Sequence, residues 1–212
     1  MMQNVKSFIK GTPLYGPLSK ILDKIELHRW KNGGKCGHPP HLLKQETVKE
    51  YARRFGIKSF VETGTYMGKM VEAVKNDFQE IFSVELDENL FEDAKKKFIR
   101  YPHIHIIHGD SGKVLSEMLN SIQEPCLFWL DAHYSGGITA KGDIETPIED
   151  ELRAIFTHSI PGHVILIDDA CDFIGKDDYP TIEQLKNRVS NYRSELIFEI
   201  KDNIIRIHPP GF

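Results

Sequence analysis

The chain has 212 residues, 40% of them hydrophobic and 27% charged, with a formal net charge of −4 at pH 7. That is one ordinary domain, with a small extension at most and room for a proper core, and the balance points away from nucleic-acid binding and membrane-surface attachment. There is no apolar run long enough for a membrane span, and the polar start MMQNVKSFIKG gives no expectation of a secretory leader. Cys36, Cys126 and Cys171 are scattered and odd in number, so the expectation is free thiols in a reducing cytoplasm.

Residues 1–44 read as an N-terminal extension. GPLSKILDKIELHRW has the spacing of a short amphipathic helix, and KNGGKCGHPPH is loop chemistry. From residue 45 a regular alternation begins, and 45–212 reads as one domain. QETVKEYARRFG places Val48, Tyr51, Ala52 and Phe55 at helical spacing and stops at Gly56. IKSFVE is a short apolar strand, TGTYMGK a glycine-bearing turn, and a helix is predicted from there to about Asn76. EIFSVEL is strand, ENLFEDAKKKFIRY helix, HIHIIHGD strand, SGKVLSEMLNSI helix and PCLFWLD strand. Beyond a glycine-containing loop, Thr146-Pro147-Ile148-Glu149 predicts a capping box that starts the next helix. HVILIDD is strand, TIEQLKNRVSNY helix, and SELIFEI with NIIRIHP form a hairpin turning on Lys201-Asp202-Asn203.

Strands that are apolar throughout and alternate with helices predict a doubly wound, Rossmann-like α/β fold. Its sheet would have seven strands, all parallel except one in the C-terminal hairpin. Ligands of such sheets lie beyond the carboxyl ends of the strands, so the residues ending each strand carry the functional information. The first strand ends in VETGTYMG, with Gly64 and Gly68 allowing a tight turn after Glu62. Tyr66 stands where a dinucleotide fingerprint has its middle glycine, which argues against NAD; the Glu62 carboxylate points to a cationic ligand instead. Glu85 ends the second strand, about 20 residues on, where a carboxylate can accept from both ribose hydroxyls. Asp110 and Ser111 end the third strand; Asp110 either meets an adenine edge or caps the following helix.

As an ordered set, FVETGTYMG, SVELD, IIHGDS and FWLDAHYSGG resemble the ligand loops of class I S-adenosylmethionine-dependent methyltransferases, over roughly residues 45–208. The resemblance implies that Glu62, Thr63, Gly64, Thr65 and Gly68 cradle the methionine end of S-adenosylmethionine. It places Glu85 on the ribose and Asp110 with Ser111 on the adenine. Tyr66 departs from the family's pattern.

Asp131 ends the fourth strand, and Asp168 and Asp169 end the fifth, so the fold would set three carboxylates side by side. Such a group is stable around a cation or with a proton retained, and hard oxygen donors suit Mg²⁺ or another divalent ion. The arrangement is similar to that of metal-dependent sugar O-methyltransferases of the macrocin type. That resemblance implies Asp131, Asp168 and Asp169 as metal ligands and a sugar, glycan or glycosylated metabolite as acceptor. The bland alternative makes Asp168 or Asp169 a helix or turn cap.

His133 lies two residues after Asp131 and titrates near ~6.5 when unperturbed, so it can act as general base. Asp131 is the rival base, and His133 can alternatively orient the acceptor. The loop 133–147 offers Tyr134, Ser135, Lys141, Asp143 and Glu145 as acceptor contacts, and Asp143 or Glu145 as a further metal ligand. Cys36, His38 and His41 have no evident fourth partner for zinc, and the basic run EDAKKKFIR fits a solvated helix face. Two other classes stay open: a catechol-type small-molecule O-methyltransferase, and a non-catalytic nucleotide-binding protein of the same architecture. Neither nucleic acid nor membrane is an expected partner.

Overall fold

The computed structural model describes residues 15–34, 37–132 and 146–211. The chain divides into two compact units, Met1–Thr47 and Val48–Phe212. Helix α1 (Tyr15–Asn32) lies in the first, and α2 (His41–Phe55) crosses the boundary. The second unit alternates β1 (Ser59–Thr63), α3 (Lys69–Val74), β2 (Glu80–Glu85), α4 (Glu88–Phe98), β3 (Ile104–His108), α5 (Ser111–Leu119) and β4 (Cys126–Leu130). It continues with α6 (Ile148–Thr157), β5 (Val164–Ile167), a single 3₁₀ turn (Ala170–Asp172), α7 (Ile182–Tyr192), β6 (Ile197–Lys201) and β7 (Ile204–His208).

The strands form one seven-stranded sheet of order β3-β2-β1-β4-β5-β7-β6. β1 pairs in parallel with both β2 and β4, β4 with β5, and β7 runs antiparallel to β5 and β6. Burial explains the apolar runs. Along β4, Leu127 and Trp129 enter one core while Cys126, Phe128 and Leu130 enter the other. Phe60 and Val61 of β1 divide the same way. Each face of the central sheet therefore has its own core, and a solvent-facing period of two never appears in these strands. The edge strand β6 does show exposure, with Ile197 and Ile200 reaching solvent.

One expected start signal is placed differently. Helix α6 begins at Ile148 behind Pro147, without a side-chain cap. The Thr146 side chain is instead turned to Tyr179, to which its hydroxyl donates, and no side chain accepts from the first N–H groups of the helix. The reciprocal capping box belongs to α7: Gln184 N–H donates to Thr181 Oγ1 (3.2 Å) and Thr181 N–H donates to Gln184 Oε1 (2.8 Å). No helix among the described residues is long and apolar enough to cross a membrane.

Candidate active site

The chain leaves β1 for β2 on one side, and β4 pairs on the other. The crevice at their carboxyl ends is thus the place where strand order reverses. The β1 turn is built by backbone bonds: Gly64 N–H and Thr65 N–H donate to Val84 O (2.9 and 3.2 Å), and Gly68 N–H donates to Thr65 O (2.8 Å). Gly64 has φ 85°, and a Cβ there would sit 2.7 Å from the Asp131 carbonyl oxygen. The close approach that demands glycine is therefore that of the β4 end. Gly68 takes φ 62° to start α3, with its Cα against the Phe98 ring.

Tyr66, the departure noted in the sequence, adopts φ 46° with its ring exposed. Its N–H donates to Glu85 Oε2 at 2.7 Å, and Asp87 N–H donates to Glu85 Oε1 at 2.9 Å. A carboxylate from β2 thus holds the left-handed turn that glycine would otherwise supply. Both Glu85 oxygens keep further acceptor capacity.

Glu62 is buried behind this turn. Ser83 Oγ donates to Glu62 Oε2 (2.7 Å), which leaves Thr65 Oγ1 as donor to Ser83 Oγ (2.6 Å). Burial pushes the Glu62 carboxyl up to about 8, the Ser83 bond draws it down, and nearby Glu85 raises it while Lys97 lowers it. At neutral pH this acid keeps its proton, and a cation brought beside it would favour release.

At the end of β3 the structure shows the capping alternative. Asp110 accepts from Gly112 N–H (3.1 Å) as the N-cap of α5 and pairs with Lys113 (3.2 Å). Ser111 Oγ turns inward and donates to Glu151 Oε1 at 2.5 Å.

The three aspartates do meet. Asp131 N–H donates to Thr63 O and Asp168 N–H to Leu130 O, both at 3.1 Å, carrying the parallel ladder one residue past the strands. This places one carboxylate oxygen each from Asp131, Asp168 and Asp169 within 4.8 Å of one another. Asp168 and Asp169 are buried and Asp131 is half-buried. Asp169 N–H donates to Asp168 Oδ1 (2.9 Å), and Asn203 Nδ2 donates to Asp169 Oδ1 (3.3 Å). Three hard oxygen donors at this separation, with repulsion that a cation relieves, fit Mg²⁺ or a similar ion.

A cleft beside them is lined by Asp131, Thr146, Glu151, Asp168, Phe173 and Tyr179. Burial raises the Tyr179 phenol well above its usual range, with Asp172, Asp169 and Asp131 adding to the effect and Thr146 opposing it. Glu151, Tyr179, Phe173 and Asn203 do not stand out in the sequence as site residues. Glu151 had a readable signal, because it falls on the α6 face defined by Ile148, Leu152 and Ile155. His133, with Tyr134, Ser135, Lys141, Asp143 and Glu145, lies outside the described residues, as does Cys36.

Neither a protein-family model nor a curated protein sequence matches the chain. Solved structures do. The O-methyltransferase TomG of Streptomyces achromogenes, determined with S-adenosylmethionine, is 12% identical, covers 89% of each chain and has a TM-score of 0.59. An O-methyltransferase from Bacillus cereus in complex with S-adenosylhomocysteine is 14% identical over 98% of this chain and 100% of its own, with a TM-score of 0.56. The fold is the Rossmann-like methyltransferase fold. The N-methyltransferase NodS of Bradyrhizobium japonicum WM9 shares it too (14% identity, 79% of this chain, 97% of its own, TM-score 0.50). The fold alone therefore leaves the acceptor atom to be argued from the site.

Proposed function

We propose that this chain is an S-adenosylmethionine-dependent, divalent-metal-assisted O-methyltransferase acting on a hydroxyl of a sugar, glycan or glycosylated metabolite. The observation that carries the reading is the Asp131, Asp168 and Asp169 cluster, at the same carboxyl edge of the sheet as the buried acids Glu62 and Glu85. O-methyltransferases are prominent among the structures with this fold, including those solved with S-adenosylmethionine or its product. Residues 45–212 form the catalytic domain in this reading, and the cytoplasm is its place of action.

Bound S-adenosylmethionine supplies an activated methyl group, and a divalent ion orients an acceptor hydroxyl and lowers its pKa. The protein's own part is binding, alignment and proton transfer. Glu62, with Thr63, Gly64, Thr65 and Gly68 around it, receives the cationic methionine end. Glu85 accepts from ribose hydroxyls, and Asp110 and Ser111 border the adenine. Asp131, Asp168 and Asp169 hold the ion, and alignment of acceptor with methyl donor contributes several kcal/mol. His133 takes the acceptor proton, with Asp131 as the alternative base; such a base contributes about 10²–10⁴-fold.

A catechol-type acceptor is the second reading, and one observation favours it. The edge-to-face pair Phe173–Tyr179, with ring centroids 5.1 Å apart, puts aromatic rings beside the aspartates, Phe173 buried and Tyr179 half-buried at the cleft.

Titration calorimetry of S-adenosylhomocysteine, followed by Mg²⁺, on wild type and an Asp168→Asn/Asp169→Asn variant tests the proposal. We expect cofactor product to bind both proteins and the ion to bind only wild type. An ion that binds neither protein removes the metal from the mechanism; product that binds neither removes the methyltransferase reading.

A further inference from the structure

Two side chains assigned above to the cofactor turn inward onto a residue from a third element. Ser111 opens α5 at the end of β3 and donates its hydroxyl to Glu151 Oε1 at 2.5 Å. Thr63 ends β1, and its buried hydroxyl lies near the same carboxyl without closing a hydrogen bond onto it. Glu151 itself comes from the first turn of α6, the helix that follows β4. All three residues are buried, at 4%, 0% and 1% exposure. The Glu151 side chain also lines the cleft that holds Asp131 and Asp168.

Packing gives no reason for an acid at this position. The neighbouring residues Ile148, Leu152, Ile155, Leu115 and Leu119 form a continuous apolar core, and a leucine at 151 would join it without desolvating a carboxyl. Burial, with the charges of Asp110 and Asp150, raises the group to about 7, which marks the cost of placing it there. What the carboxyl does achieve is a hydrogen-bonded link between the start of α5, just after β3, and the helix after β4, beside the end of β1. These are the segments that border the crevice.

We infer that Glu151 is a positioning residue of the cofactor subsite, holding Ser111, and with it the β3 turn, in register with the ends of β1 and β4. The inference rests on the cofactor reading above. Its effect is on cofactor affinity, transmitted through Ser111, and the conservative amide retains it because a glutamine Oε1 still accepts the serine hydroxyl.

The test is calorimetry of S-adenosylhomocysteine on the full-length chain as wild type, Glu151→Gln, Glu151→Leu, Ser111→Ala and the Glu151→Leu/Ser111→Ala double variant, with the melting temperature of each ligand-free protein. Loss of one hydrogen-bonded anchor predicts binding about tenfold weaker in Glu151→Leu and in Ser111→Ala, with Glu151→Gln within about threefold of wild type. The double variant should be no weaker than either single one, because both remove the same link. The Glu151→Leu/Ser111→Ala double variant, which removes both buried partners, should melt at or above wild type, separating a positioning role from a structural one. Wild-type affinity in Glu151→Leu or Ser111→Ala, or losses that multiply in the double variant, overturns the inference while leaving the cofactor reading intact. If Glu151→Leu does not fold, Glu151→Met, of similar length to the acid, decides: a tenfold loss supports the inference and wild-type affinity overturns it. A wild type that binds no S-adenosylhomocysteine overturns both.

Discussion

Asp169 occupies a left-handed backbone conformation, φ 50° and ψ 53°, in which an L side chain with a Cβ is strained. What keeps it there is Asn203 in the β6–β7 turn, itself at φ 60°. The Asn203 carbonyl accepts from Ala170 N–H (2.9 Å), its Oδ1 accepts from Cys171 N–H (2.8 Å), and its Nδ2 donates to Asp169 Oδ1 (3.3 Å). One hairpin residue thereby clamps the backbone after β5 and aims the third carboxylate at the other two. Partners of metal ligands typically tune affinity about 10–100-fold. Asn203→Gly keeps the turn, because glycine accepts positive φ, and removes only the side chain. We expect it to weaken Mg²⁺ or Mn²⁺ binding at least about tenfold by calorimetry while S-adenosylhomocysteine binds unchanged. Unchanged ion affinity would show that the backbone bond to Ala170 suffices to hold Asp169.

Among the elements, the β1 turn and the β4 end are the pair on which both proposed ligands would depend. A Cβ on Gly64 would meet the Asp131 carbonyl oxygen at 2.7 Å, and that atom is fixed backbone, whereas a Cβ on Gly68 meets the movable Phe98 ring at 2.8 Å. Gly64→Ala is therefore expected to part β1 from β4, costing about 1–3 kcal/mol by urea unfolding, and to weaken product and ion binding together. Gly68→Ala should weaken the ion less, since its strain is relieved on the α4 side. Equal ion affinity in the two variants would mean that the Gly64 contact does not set Asp131. This dependence marks how far the sequence could be read. The strand ends Glu62, Glu85, Asp131 and Asp168 are legible because apolar runs break at them and the sheet places such breaks on one edge. Thr146 reads as a cap in the sequence because its true partner, Tyr179, lies 33 positions further along the chain, beyond any local signal. Asn203 reads only as a turn residue, since nothing local says that β7 returns beside β5. Glu151 is hidden differently: an acid on an apolar helix face is visible, but its Ser111 partner comes from another helix.

Across the whole molecule, buried titratable groups lie at opposite ends of the parallel sheet. Glu62 sits at the carboxyl end of β1, and His163 stands just before the amino end of β5. Cys126 N–H donates to His163 Nδ1 at 3.0 Å, so Nε2 carries the proton and faces His158 Nδ1 at 2.9 Å. Burial, then the charges of His158 and Arg193, push His163 down to about 4. Its unfolded-state value is higher, so stability from the neutral ring is present above about 6.5 and is lost as pH falls through about 4. Glu62 works in the opposite sense. Its folded value of about 8 exceeds its unfolded one, so stability present below about 4.5 is lost as pH rises through 8. A tenfold change in a group's proton affinity on folding corresponds to about 1.4 kcal/mol, and sites this far apart in the sheet contribute independently. Urea unfolding of the ligand-free protein across pH 4–8 should therefore separate two variants. Glu62→Gln should gain on wild type as pH rises from 5 to 8, because it has no carboxylate to bury. His163→Gln should gain on wild type as pH falls from 6.5 to 4, because it has no ring to charge. Each gain should reach on the order of 2 kcal/mol. Variant curves that run parallel to wild type would show that both groups titrate in their ordinary ranges in solution. Glu62 would then be ionised before any cofactor arrives, and its burial would have to be relieved by water entering behind the β1 turn.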